Sequence, residues 1–283
     1  MPLPSANLYP PFNIVRLSHA DLTVTDLSRS RAFYAETIGL QITDEDDDTI
    51  YFRGLEERTH HCLILRKGDA PSADALGFRV YDEEDLDRAE VHFSKQGRDV
   101  SWIERPFQGR TLHTTCPLGI PLEFHARMDR LPPIHQKYDL YKGVRPLRID
   151  HVNCFSSDVA TSISFFGELG FRVTEYTEDE ATKNVWAAWM HRKGGSTTSP
   201  LPMASAHGST MSHSGCRRRW QSSTCSISWR QRDAWVTSSA DRGGTGCRTR
   251  SSFMYAIRTG IASSSIARIT SLSIRILNRS NGI

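Results

Sequence analysis

Polar and apolar residues alternate through residues 15–24, as they do in a half-buried strand, and the pattern then changes period. From Leu27 to Ile38 apolar side chains recur every three or four positions, the spacing of one helix face. Asp26 stands where a helix N-cap belongs and Gly39 where the chain needs a left-handed C′ residue. The same succession returns further along. V-R-L-S-H-A-D-L-T-V-T-D-L-S-R-S-R-A-F-Y from Val15 aligns with L-R-I-D-H-V-N-C-F-S-S-D-V-A-T-S-I-S-F-F from Leu147, matching His19 to His151, Asp26 to Asp158 and Phe33 to Phe165. Gly170 closes the second helix as Gly39 closes the first.

A fainter copy lies between them, with a strand over 75–80, a helix over 83–96 and a stop at Gly97. Short β-like runs follow each helix: 49–53 and 62–65 in the first copy; 100–104, 111–115 and 120–124 in the next; 171–174 and 185–191 in the last. The repeating unit is therefore β-α-β-β-β and the fold class α+β. Two units fill an N-terminal domain over 12–130. A linker over 131–146 carries Pro132 and Pro133. The third unit starts at Leu147 and is truncated at 195, as the first part of a second domain. Residues 44–48 read as a charged turn, without the spacing or glycine of an EF-hand loop. His60 and His61 read as a solvated or strand-edge pair.

Composition divides the chain at the same place. Residues 1–195 hold 23 Lys plus Arg against 30 Asp plus Glu, whereas 196–283 hold 12 Arg, no Lys, two Asp, no Glu and 20 Ser. Lys and Glu are staple surface residues, so their joint loss marks a change of regime. No apolar run is long enough to span a membrane, and the first residues show no basic-then-apolar leader, so a cytoplasmic protein is expected. The six cysteines form no C-x-x-C pair, which argues against a zinc ribbon or a disulfide framework.

Several segments then agree in order with one family. I-V-R-L-S-H-A-D-L-T-V-T-D-L, D-T-I-Y-F-R-G-L-E-E-R-T-H-H, Q-K-Y-D-L-Y, R-I-D-H-V-N and A-A-W-M-H-R-K resemble the homoprotocatechuate (3,4-dihydroxyphenylacetate) 2,3-dioxygenases. These are extradiol enzymes of the vicinal-oxygen-chelate, or glyoxalase-like, superfamily. The resemblance covers about residues 12–195. It implies a catalytic second domain in which two histidines and a carboxylate hold Fe(II) or Mn(II), leaving positions for a catechol and O2. It further implies ring opening to a 2-hydroxymuconic semialdehyde, with a histidine as acid/base, and a homotetramer.

Carried over residue by residue, the resemblance makes His151 the first metal ligand and Asn153, two residues on, a neighbour on the same strand face. Trp189 matches a substrate-pocket position, and His191 points the same way. A strand histidine alone is more often a hydrogen-bonded structural residue, and a lone Trp core packing. His19 and Glu123 stand at analogous ligand positions in the first domain, where the family has no catalytic metal; they read as vestigial.

After A-A-W-M-H-R-K the family continues with H-D-x-A-L, then H-H-V-A-F carrying the second histidine ligand, then D-P-D-G-H-R-I-E carrying the carboxylate. None of these occurs in the chain. Reading each codon as the last base of one displayed codon plus the first two of the next changes this. From Gly195 to Cys216 the genetic code then permits V-H-D-I-A-L-T-N-G-V-G-P-R-L-H-H-V-A-F-W-V, and from Met254 it permits V-R-D-P-D-G-H-R-I-E-L-Y-S-A-D-Y. Both blocks share one frame. The expectation is an out-of-frame tail over 196–283, catalytic inactivity as written and no bound cofactor. Two other readings stand beside it: a non-catalytic ligand-binding or dimerising module, and a Ser/Arg tail on nucleic acid. The scattered tryptophans and the lack of R-S or R-G-G repeats disfavour the second, so no nucleic acid is expected as a partner.

Overall fold

A computed structural model describes residues 3–192, apart from 118, 157 and 180, together with four later strands at 201–205, 226–230, 235–239 and 274–276. The first unit is β1 (Ile14–Val24), α1 (Leu27–Ala32) running into a wider π turn (Phe33–Ile38), then β2 (Gln41–Glu45), β3 (Thr49–Arg53) and β4 (Leu63–Lys67). The second is β5 (Ser72–Val80), α2 (Glu83–Lys95), β6 (Val100–Arg105), β7 (Gly109–Thr115) and β8 (Pro121–His125). The predicted caps form, with Asp26 accepting the Arg29 N–H and Asp158 the Thr161 N–H, and Asp82 caps the middle helix in the same way through the Asp85 N–H. Gly39, Gly97 and Gly170 all take positive φ, at 85°, 67° and 83°.

These two units make one eight-stranded sheet in the order β2-β3-β4-β1-β5-β8-β7-β6. Within each unit the last strand returns parallel to the first, β4 to β1 and β8 to β5, and the units join through antiparallel β1–β5. An approximate twofold therefore relates them. Phe78, Phe93, Phe124 and Leu86 fill the space beneath α2; each is wholly buried. Burial of a side chain of this size contributes about 1.5–3 kcal/mol.

Two sequence expectations need correction. Residues 44–45 belong to β2, and the charged turn is confined to 46–48, where the Asp46 carboxylate accepts the N–H groups of Asp48 and Thr49. A charged edge strand was mistaken for a loop because its solvent side carries acids. His60 and His61 are not solvated: they are 4% and 0% exposed. The strand β4 begins after them and turns both rings inward.

The third unit is β9 (Arg148–Ser156), α3 (Val159–Glu168), β10 (Arg172–Glu178) and β11 (Val185–His191). Sequence reading stops it at 195, but β12 (Leu201–Ser205) lies between β11 and β9, antiparallel to the first and parallel to the second. The order β10-β11-β12-β9 thus repeats β2-β3-β4-β1. The slot between β9 and β11 is one strand wide and lined with backbone donors and acceptors that need partners, so an extended segment fits it. Further strands β13 (Ser226–Arg230) on β9, β14 (Trp235–Ser239) and β15 (Ile274–Ile276) extend this sheet to seven.

Residues 131–146 fold back on the first unit rather than hanging free. Val144 N–H donates to the Thr37 carbonyl at 3.1 Å and Arg53 donates to the Pro132 carbonyl at 3.0 Å. The third unit docks on the first domain by Phe93 stacking on Phe165 (6.3 Å) and Phe78 meeting Phe171 edge-on (6.0 Å). The N-terminal segment straps the two together: Asn7 donates to the Glu168 carbonyl at 2.9 Å.

Candidate metal centre

His151 sits in β9, 7% exposed, and shares a 2.7 Å hydrogen bond between its Nδ1 and Asp150 Oδ2. The neighbouring Asp150 was not singled out by sequence reading, though it is adjacent in the chain. A carboxylate bonded to one ring nitrogen orients a histidine ligand and leaves Nε2 the ligating atom.

Strand register places the other candidates. Trp189 stands opposite Pro202 and Met203 opposite Cys154, so Trp189, Pro202 and Asn153 share one rung. Alternation along β11 puts His191 on the same face as Trp189. Trp189 and Asn153 are two strands apart, roughly 10 Å. The Asn153 side chain lies outside the described residues. The ring of Trp189 is half-buried, and its carbonyl accepts the Thr174 hydroxyl at 3.2 Å. His191 Nε2 lies 3.1 Å from the Arg172 guanidinium, its cross-strand partner. Burial and that guanidinium both push the His191 imidazole down, so the neutral ring accepts from Arg172. Arg172 is a second residue of this face that the motifs did not reveal.

These residues do not make a three-ligand site. Among the described residues no group of three or more His, Cys, Asp or Glu is placed to hold a metal ion. Opposite His151 on β13 stands Ser228. Among the described residues His151 and Asp150 bring together one imidazole and one carboxylate, short of the two histidines and carboxylate that Fe(II) or Mn(II) takes.

The approximate twofold supplies an internal comparison. In the first domain His19 occupies the β1 position matching His151, with Gly77 opposite it on β5. Glu123 on β8 comes within 3.6 Å of His19 Nε2. The two positions analogous to ligands are thus brought together. The space around them is filled: a Cβ on Gly77 would lie 2.1 Å from the His19 ring. His61 and His125 pack on that ring at 5.1 and 5.7 Å, all three fully buried. Burial pushes the Glu123 carboxyl up, but His19 and Arg105 outweigh it and hold it at about 2.

The pattern of paired units is matched by the family model of the glyoxalase/bleomycin resistance protein/dioxygenase superfamily, over residues 16–123 and 148–225. The chain belongs to this superfamily. Among solved structures of the superfamily, an extradiol ring-cleaving dioxygenase from B. fuscum is 36% identical, with a TM-score of 0.65 over 72% of this chain and 57% of that one. A substrate complex of homoprotocatechuate 2,3-dioxygenase from Brevibacterium fuscum is 29% identical, with a TM-score of 0.67 over 85% of this chain and 84% of that one. Among curated relatives, the manganese-dependent 2,3-dihydroxybiphenyl 1,2-dioxygenase of Geobacillus genomosp. 3 is 27% identical over 176 residues, 58% of this chain and 56% of its own length. The metapyrocatechase of Geobacillus stearothermophilus is 24% identical over 192 residues, 64% of this chain and 58% of its own. The chain therefore spans little more than half of these curated relatives, and its superfamily homologues are extradiol catechol dioxygenases. No helix among the described residues is long and apolar enough to cross a membrane.

Proposed function

We propose that this chain derives from an extradiol dioxygenase that opens 3,4-dihydroxyphenylacetate or a close catechol with O2, and that its residues from about 196 onward are read one base out of frame. In the ancestral frame His151 would be one of three ligands to Fe(II) or Mn(II). Asn153, Trp189 and His191 would line the substrate side, and the enzyme would be a homo-oligomer. As written, the chain would hold no catalytic metal and open no ring. The observation that carries this reading is the shortfall at His151: one imidazole, held by the Asp150 carboxylate, has no second histidine beside it among the described residues, whereas the displaced frame offers H-H-V-A-F between Gly195 and Cys216 and D-P-D-G-H-R-I-E from Met254 onward. The relatives' activities supply the choice of reaction.

The test compares the chain as written with a version whose frame is restored near Gly195. Metal content after iron or manganese loading and yellow ring-opened product from 3,4-dihydroxyphenylacetate are the readouts. Restoration is expected to bring about one metal per chain and turnover, with neither in the chain as written. Stoichiometric metal and turnover in the unrestored chain would refute the frame reading; a restored chain that binds metal yet cleaves no catechol would refute the reaction.

A further inference from the structure

The first domain contains a buried cluster of ionisable groups that the proposed chemistry does not use. It straddles the joint between the two units: His19 comes from β1, His61 from the approach to β4, and His125 from β8. All three are 0% exposed. His125 ties the units together directly, its Nε2 lying 2.7 Å from the Ser18 hydroxyl and its Nδ1 2.9 Å from the Arg127 carbonyl. A carbonyl only accepts, so Nδ1 carries a proton, and in the neutral ring Nε2 accepts from the Ser18 hydroxyl.

Neighbouring charges are already matched. Arg66 from β4 holds the Asp21 carboxylate through both oxygens at 3.0 Å, and Arg105 from β6 holds Glu123. Arg79 from β5 faces His125 as a further cation. His60 approaches His61 at 3.2 Å between their Nδ1 atoms, Tyr51 from β3 packs edge-on to His60 and tilted against His61, and the Gln108 amide is the polar group favouring charge on His61. An added proton on His61 or His125 therefore meets no carboxylate free of an arginine, and lies beside other imidazoles in a site without water contact. Burial, then His19, push His125 down to about 3, and burial with the neighbouring histidines pushes His61 well down too.

We propose that His61 and His125, packed on the His19 ring, form an acid-sensitive latch, which holds the two units of the first domain together while their two rings are neutral and releases them when they take up protons. An unfolded or opened histidine titrates near 6.5, so the folded state loses ground as pH falls below that value. Each imidazole kept neutral makes opening about 25-fold more favourable at pH 5 than at pH 7.

Cys62, buried at 0% and directly after His61, reports the opening. The full chain is treated with a pyridyl disulfide, which reacts with thiols in acid as well as at neutrality. The Cys62 peptide is followed by mass spectrometry, and its rate is divided by that of the urea-unfolded chain at the same pH. Protection is expected to fall at least 25-fold from pH 7 to pH 5. His125→Gln, whose amide can keep both hydrogen bonds, should remove about 25-fold of that change, while His113→Gln on β7 leaves it whole. If His125→Gln has no protection at pH 7, His61→Gln takes its place. Equal protection of the unaltered chain at both pH values overturns the latch, as does a full acid response in both cluster variants.

Discussion

At the scale of single residues, Gly77 shows how closely the first domain is fitted. Its φ is ordinary; what matters is the His19 ring over its Cα, 2.1 Å from where a methyl would sit. Gly77→Ala should cost about 1–3 kcal/mol by overpacking, read as a lower urea midpoint with an unchanged slope. Glu123 is a different case. It answers both Arg105 and His19, so Glu123→Gln leaves charge without a buried partner and should cost about 3–5 kcal/mol at neutral pH. Its carboxyl titrates near 2 when folded against about 4.5 when unfolded. The folded state thus binds fewer protons, and the stabilisation is whole above about pH 4.5 and is lost as pH falls towards 2. The difference between Glu123→Gln and the parent chain should shrink across that window in acid titrations of stability.

Among the elements, the helices were legible because their signals are local. Asp26, Asp82 and Asp158 each accept the N–H three residues on, and a glycine in the left-handed region ends each helix or follows its last turn. Asp82→Ala and Asp158→Ala should each cost about 1 kcal/mol, seen as parallel shifts of the unfolding curve. Phe93→Ala, which empties the seam where α2 meets α3, should cost about 3–5 kcal/mol. The strands were legible where one face is apolar and missed at β2, whose acidic edge resembles a loop. Of the candidate centre, His151 and Trp189 could be placed because they sit in motifs. Asp150, Arg172, His61 and His125 could not, since their importance arises from contacts across strands far apart in sequence: His125 and Ser18 are 107 residues apart. β12 escaped notice for a related reason, as the slot it fills is made by β9 and β11 and not by its own residues.

Across the whole molecule, the two domains are unequal. The first is a complete pair of units whose core continues into the second, while the second holds one unit joined by strands from a segment of altered composition. The strap from Asn7 to Glu168 crosses 161 residues. During synthesis, at about 5–20 residues per second, the chain's opening residues must wait on the order of ten to thirty seconds for the helix that receives them. Over that interval they hang outside a first domain whose sheet is already complete at His125. Nascent chains arrested before α3 should therefore be cut near Asn7 by a limiting endoprotease more readily than the finished protein is.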